Sequence, residues 1–215
     1  MDRLKSLDPP HKGLRNILSQ FSLMAGNTNY KSKSEIEELK SLGADLFLLL
    51  QNHTKNEDTY ILAPLKEKYS KETTYVEKVH STLDQMELKL KNKLDSFDGN
   101  QSDEVGHDFY LSFTEFHAEF LKQIADEDRN LEVDMQTAFT DEELVQHQVA
   151  IMKNMDFSVL LLWFKYIVPA RRIAENVQVL TAFKSAGAEA FEAVLEVIKP
   201  QLSQERYNLI ISQVK

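Results

Sequence analysis

The sequence has few of the residues that interrupt helices and none of the residue that crosslinks chains. Its 215 residues include no cysteine, six glycines and five prolines. The absence of cysteine excludes disulfides, thiolate metal ligands and cysteine nucleophiles. The scarcity of glycine and proline, together with plentiful Leu, Glu, Lys and Ala, favours helix over sheet.

Positive charge and long apolar runs are scarce as well. The formal net charge is −9, which argues against nucleic-acid binding because such proteins neutralise phosphates with clustered Lys and Arg. The longest apolar run, Val159–Phe164 and its continuation after Lys165, is too short to cross a bilayer. The start of the chain lacks the apolar core of a signal peptide. We therefore expect a soluble cytoplasmic protein with neither nucleic acid nor membrane as a partner.

Apolar residues recur at helical spacing in four long segments. These segments cover roughly residues 8–26, 34–64, 71–97 and 103–139. Asp8 is predicted to cap the first helix and Ser34 to open the second with a capping box, while Pro64 predicts a kink or a stop. Asp98-Gly99-Asn100 is typical of a turn. Long amphipathic helices with short connections predict an all-α fold, an antiparallel up-down four-helix bundle.

The remainder of the chain is predicted to be helical too. A capping box at Thr140-Asp141-Glu142-Glu143 opens a further helix, and Pro200 and Gly187 separate shorter ones after it. We assign residues 1–150 to the bundle and residues 151–215 to a C-terminal helical extension that packs on the bundle or mediates contacts. His147 is the only histidine after residue 140, so this part shows no cluster of metal ligands.

His53 and Glu57 form the first candidate site. They are four residues apart in the second predicted helix, so both side chains leave the same face, which is otherwise apolar. A buried ionised carboxylate is costly without a partner, and a metal ion would satisfy both groups. The simpler alternative is a hydrogen-bonded pair on the helix surface.

A faint internal repeat relates this pair to the rest of the chain. His53-x-x-x-Glu57-Asp58 is matched by Gln123-x-x-x-Glu127-Asp128 at an offset of 70 (123 − 53). His11 is matched by His80 at an offset of 69 (80 − 11). Each half is thus predicted to be a helical hairpin with one histidine on its first helix and a Glu-Asp pair on its second. Repetition at a fixed offset places both sets around one interior, although Glu127 could also be a solvated acid in the run Asp126-Glu127-Asp128.

These motifs resemble the hemerythrin-like family. The resemblance covers about residues 8–150 and includes Pro10-His11-Lys12-Gly13-Leu14-Arg15, Leu62-Ala63-Pro64-Leu65 and Phe139-Thr140-Asp141-Glu142-Glu143-Leu144. Residues 158–215 resemble, more weakly, a helical extension that some bacterial members have. The family's bundle holds two iron atoms, so the resemblance implies that His11 and His53 bind one iron, Glu57 and Glu127 bridge the two, and His80 binds the second.

The second implied metal position departs from the family pattern. Gln123 stands where the family usually has a histidine, and an amide oxygen is a weak iron ligand. Fuller members have another histidine near Val76. Glu77, at the Glu-x-x-His spacing of other di-iron bundles, or Asp84, one turn after His80, could supplement this position. A single-metal or uneven two-metal site is therefore as plausible as a balanced one, and the same donors accept manganese or zinc.

The resemblance predicts a non-haem iron protein that senses, binds or stores iron, dioxygen or nitric oxide through an open coordination position. Its partner would be a metal ion or a small diatomic ligand, with a second copy or another protein bound through the C-terminal helices. Gln123 supports an alternative, a helical interaction module that has lost its metal. A second alternative is a di-iron oxidase or peroxidase, which the sequence disfavours because such sites use more carboxylates and fewer histidines.

Overall fold

The computed structural model describes residues 3–69 and 74–214, and the regular elements within these ranges are all helical. The predicted start of the third helix near Lys71 lies outside them. The α-helices are α1 Asp8–Asn27, α2 Lys33–Glu57, α3 Ala63–Tyr69, α4 Thr74–Asp95, α5 Asp103–Arg129, α6 Leu131–Ala138, α7 Asp141–Lys153, α8 Phe157–Ala170, α9 Ile173–Ala186, α10 Ala188–Ile198 and α11 Gln204–Ile211. A π-helix, Asp58–Leu62, joins α2 to α3, and a 3₁₀ turn, Lys199–Gln201, follows α10.

The four long helices pack in a ring. α1 contacts α2, α2 contacts α4, α4 contacts α5, and α5 contacts α1. Their apolar stripes meet in one hydrophobic core, to which α5 contributes Phe109, Phe113, Phe116 and Phe120, each no more than 3% exposed. Burial of each such side chain contributes about 1.5–3 kcal/mol to the free energy of unfolding. This core is therefore the main source of stability for the groups inside the ring.

Two of the predicted helix starts are wrong, and one is confirmed. Asp8 is the first residue of α1 rather than its cap. The adjacent N–H groups of Ser6 and Leu7 are instead bound by the carboxylate of Glu132, at 3.0 and 2.8 Å. α2 is capped by Ser32, not Ser34, because the Ser32 hydroxyl accepts from the Glu35 N–H. The capping box between Thr140 and Glu143 is present as predicted.

Two helices are interrupted at positions other than those predicted. The predicted helix 103–139 is divided at Asn130 into α5 and α6. The second helix does not stop at Pro64, because α3 runs through it. The irregularity lies just upstream, in the π-helix Asp58–Leu62. Proline lacks an N–H and its ring crowds the preceding turn, which accounts for the change of hydrogen-bond pattern at that point.

α8 packs along α1. A Cβ added at Gly13 would lie 2.8 Å from Ile167 Cγ1, so the two backbones approach closely because position 13 has no side chain. Trp163 and Tyr166 of α8 belong to the same core as the four long helices, whereas Phe164 begins a separate core shared with α9, α10 and α11. The division at residue 150 stays a prediction.

The predicted turn between the third and fourth long helices is present. Gly99 lies between α4 and α5 with φ +89°, a left-handed conformation that favours glycine. Within the described residues, no helix is long and apolar enough to cross a membrane.

Candidate metal centre

Four buried side chains from three of the long helices meet inside the ring. His11 comes from α1, His53 and Glu57 from α2, and Glu127 from α5, with exposures of 0, 5, 1 and 3%. One potential ligand atom from each lies within 4.8 Å of all the others. The sequence predicted these four residues as ligands, and the structure brings them into one group that could hold a metal ion.

The donor atoms of this group face one another without hydrogen bonds. His11 Nε2 is 3.5 Å from Glu127 Oε2, and His53 Nε2 is 3.5 Å from Glu57 Oε2. Within the described part of the chain these four atoms have no hydrogen-bond partner, nor does Glu57 Oε1. A buried polar atom without a partner costs about 1–3 kcal/mol. A bound cation would relieve this cost for both nitrogens and for the carboxylates together.

The electrostatics of the group suit metal coordination. Burial lowers the pKa of His53 well below its usual value, and the neighbouring imidazoles of His11 and His80 lower it further. His53 is therefore neutral, the form whose nitrogen lone pair can bind a metal. Burial raises the pKa of Glu57, and the nearby Glu127 carboxylate raises it further, so a positive charge close to Glu57 favours its ionised form.

An acid outside the group fixes the orientation of His11. His11 Nδ1 lies 2.6 Å from Asp128 Oδ1, and Arg15 Nη2 donates to Asp128 Oδ2 at 2.8 Å. Burial raises the pKa of Asp128, but the hydrogen bonds from His11 and Arg15 outweigh it and the pKa is lowered. An ionised carboxylate only accepts hydrogen bonds. His11 Nδ1 therefore carries a proton, and Nε2 is the ring nitrogen that faces the group.

His80 meets the same two carboxylates. Its Nε2 is 3.4 Å from both Glu57 Oε2 and Glu127 Oε1, and its Nδ1 is 3.0 Å from Asp58 Oδ1. Burial lowers the pKa of His80, but the carboxylates of Glu127 and Glu57 outweigh burial and raise it to about 11. Without a bound cation, His80 is thus a protonated counter-charge to these acids.

The two outer acids connect the two halves of the repeat. His11, in the first hairpin (α1 and α2), is held by Asp128 of the second hairpin (α4 and α5). His80, in the second hairpin, is held by Asp58, which directly follows the first. The sequence analysis did not assign these roles to Asp58 and Asp128. The sequence does contain a signal for these roles, because the repeat includes a Glu-Asp doublet and not only a glutamate.

Gln123 lies at the edge of the group. Its Nε2 donates to Glu127 Oε1 at 2.6 Å, while its Oε1 has no hydrogen-bond partner among the described residues. The amide is thus adjacent to a carboxylate that His80 also contacts. The amide is positioned either to bind a metal weakly through its oxygen or to make a hydrogen bond in place of a metal–ligand bond.

Glu77 and Asp84 are not brought into the buried group. The Glu77 side chain is 46% exposed and pairs with Lys66 Nζ at 3.4 Å. Asp84 is exposed and lines a surface cavity with Asp58 and Glu87. Glu87 itself is buried, accepts a hydrogen bond from Gln51 at 2.9 Å, and has its pKa raised by burial to about 7.

An apolar cavity of about 270 Å³ opens beside the group. His53 and Glu57 line it on one side, and side chains of α7, α8 and α9 form other walls, among them Met152, Trp163 and Val179. The sequence analysis missed this cavity, because it depends on how the C-terminal helices dock.

No protein-family model matches the chain, and no curated protein or solved structure matches it either. The functional interpretation therefore depends on the geometry and chemistry of the buried histidine and glutamate residues.

Proposed function

We propose that this chain is a non-haem iron protein of the hemerythrin-like type. In this proposal α1, α2, α4 and α5 form an antiparallel four-helix bundle around a metal centre. An open coordination position takes up dioxygen or nitric oxide, or the site senses or stores the iron itself. The main support is the convergence of buried nitrogen and oxygen donors that have no hydrogen-bond partners within the described residues.

The donor set is compatible with iron. Two imidazoles and two carboxylates suit Fe(II) and Fe(III), and the same set accepts manganese or zinc. Four protein donors leave coordination positions of an octahedral ion free for an exchangeable ligand. When bound, the iron would supply that site for a diatomic molecule, while the buried Phe side chains of α5 limit the access of water.

The two metal positions are proposed to be unequal. The first would use His11 and His53 with Glu57 and Glu127, which form the compact group. The second would use His80 with the same two carboxylates, and its fourth neighbour is the amide of Gln123. An amide is a poorer ligand than an imidazole, so the second position should be weaker.

Metal content tests this proposal. Protein purified without chelator and reconstituted with Fe(II) under anaerobic conditions should hold about one tightly bound equivalent, which rises toward about two in Gln123→His. His53→Ala should lose the tight site, whereas His107→Ala, which changes an exposed histidine of α5, should not. A wild-type protein that takes up no iron, and whose thermal unfolding ignores added Fe(II), would refute the proposal.

A second candidate is a helical interaction module without a metal. The observation that favours it is the position of His80, whose protonated ring compensates Glu57 and Glu127 in the absence of an ion. Under this alternative, His80→Gln should destabilise the protein strongly and iron should have no effect. Under the iron proposal, added Fe(II) should recover much of the stability that His80→Gln loses.

A further inference from the structure

The cavity beside the buried group has the size of a small-molecule site. Its volume of about 270 Å³ corresponds to roughly nine non-hydrogen atoms at the ~30 Å³ that a water molecule occupies in the liquid. Apolar side chains dominate its walls, including Leu7, Ile151, Leu160, Ile167 and Val179. An occupant would therefore be mostly apolar.

One wall of the cavity holds a cation with an unused donor. The Arg171 side chain is 13% exposed, and its Nε has no hydrogen-bond partner among the described residues. The nearest acid, Glu175, is 3.7 Å away. Glu175 already accepts from Arg172 Nε at 2.7 Å and from Lys12 Nζ at 3.3 Å. Glu175 is thus shared among several cations and leaves Arg171 incompletely paired.

The surroundings of Arg171 are positive although the chain as a whole is negative. Arg172 and Lys12 contact the same Glu175 carboxylate, and Arg206 donates a hydrogen bond to the Arg171 carbonyl. Glu175 and Asp8 are the acids that act on its charge. Burial lowers the pKa of Arg171, a penalty that a bound anion would relieve.

Two further polar groups line the same cavity without partners. Ser6 Oγ and His147 Nδ1 are buried atoms that make no hydrogen bond within the described ranges. With Arg171, they add polar atoms without hydrogen-bond partners among the described residues to the walls of this mainly apolar cavity. This combination is typical of a site that orients a ligand with one polar end.

We infer that the cavity binds a small amphipathic anion, such as a medium-chain carboxylate, with its carboxylate on Arg171 and its chain along the apolar wall towards Trp163. Trp163 lies seven residues before the end of α8 at Ala170 (170 − 163), about 10 Å along the helix axis, and Arg171 follows directly. The inference goes beyond the proposed iron function and does not require a bound metal.

Trp163 provides the measurement, because it is the only tryptophan in the sequence and it lines the cavity. The full chain, treated with chelator, is titrated with octanoate and, separately, with octanol while tryptophan fluorescence is recorded. Octanoate should give a saturable change with an affinity at least about tenfold above that of octanol, because only octanoate forms the charge-assisted bond to arginine. The titration is repeated with zinc-loaded protein and should give the same preference.

Matched variants identify the contact. Arg171→Met should lower octanoate affinity to the level of octanol and leave octanol unchanged. Arg171→Lys should retain part of the preference, and it keeps the test valid if the methionine variant unfolds. Arg129→Met, which changes an exposed arginine at the end of α5 outside the cavity, should behave as wild type. Ile151→Phe should weaken both ligands by filling the cavity.

Three results would overturn the inference. These are the absence of a saturable fluorescence change, equal affinities for octanoate and octanol in the wild type, and equal losses in the Arg171→Met and Arg129→Met variants. Failure of the iron proposal is recognised separately, because it appears in metal content and leaves the octanoate titration of chelated protein unchanged.

Discussion

Replacement of Asp128 by asparagine should disable His11 as a ligand without removing any donor from the group. Arg15 Nη2 donates to Asp128 Oδ2, so the amide oxygen of an asparagine would face Arg15. Its NH₂ group would then face His11 Nδ1, which must accept. The ring proton would move to Nε2, the atom that points at Glu127, and the lone pair needed for metal binding would be lost.

The size of the effect follows from the type of contact. The His11–Asp128 contact is short, at 2.6 Å, and hydrogen bonds to charged groups contribute about 1.5–3 kcal/mol. Loss of an outer-shell acid typically lowers metal affinity by about 10–100-fold, or ~1.4–2.7 kcal/mol. We therefore expect Asp128→Asn to weaken the tight metal site by that factor while the helix content stays unchanged.

The assay is competition for Zn²⁺ or Co²⁺ against a chromophoric chelator, with ¹⁵N NMR of the imidazoles to report the tautomer of His11. Asp126→Asn is the matched control, because it makes the same charge change two residues away at an exposed position. If Asp128→Asn and Asp126→Asn bind the metal equally well, or if His11 keeps its proton on Nδ1 in Asp128→Asn, the reasoning is wrong.

Three other predictions address the second position, the stability at different pH values and the docking of α8. Asp58→Asn should release His80, lowering occupancy of the weaker metal position by about tenfold while leaving the tight one intact, as read from metal titrations. The pKa of Glu87 rises from its ordinary 4.5 to about 7, so the folded state holds the proton more tightly and its stability falls as pH increases between these values. The loss in free energy of unfolding is up to about 3 kcal/mol, at ~1.4 kcal/mol per pH unit. Glu87→Gln should remove this pH dependence, which urea unfolding at pH 5 and pH 8 measures. Gly13→Ala should cost about 1–2 kcal/mol, because its Cβ would lie 2.8 Å from Ile167 Cγ1 and this crowding exceeds the gain in helix propensity. Gly187→Ala, which meets nothing within 4 Å, is its control.

The residues that the sequence identified well are those whose positions depend on helical phase alone. His53 and Glu57 share a face because they are one turn apart, and the repeat extends the same phase to Glu127. The four Phe residues of α5 share one helical face for the same reason, and all four side chains are buried. Local periodicity therefore accounts for most of the ring and for the inner donors.

The features that the sequence did not reveal depend on contacts between distant residues. The N–H groups at the start of α1 are bound by Glu132, more than a hundred residues away, so the nearby Asp8 was wrongly assigned as the cap. The cavity needs α8 to dock on α1, which in turn needs the close approach at Gly13. No local pattern distinguishes such a glycine from one that merely weakens a helix.

Each hairpin has a histidine that is held by an acid from the other part of the chain, and this has a consequence for assembly. A fragment that ended before residue 70 would keep His11, His53 and Glu57 but lack Asp128, the acid that sets the His11 proton. The complementary fragment would keep His80 without Asp58. Neither piece has a complete, correctly protonated donor set, so under the proposed function ion uptake by the intact chain would also measure how firmly its halves are joined. Conditions that part the hairpins should release the ion before the individual helices unwind.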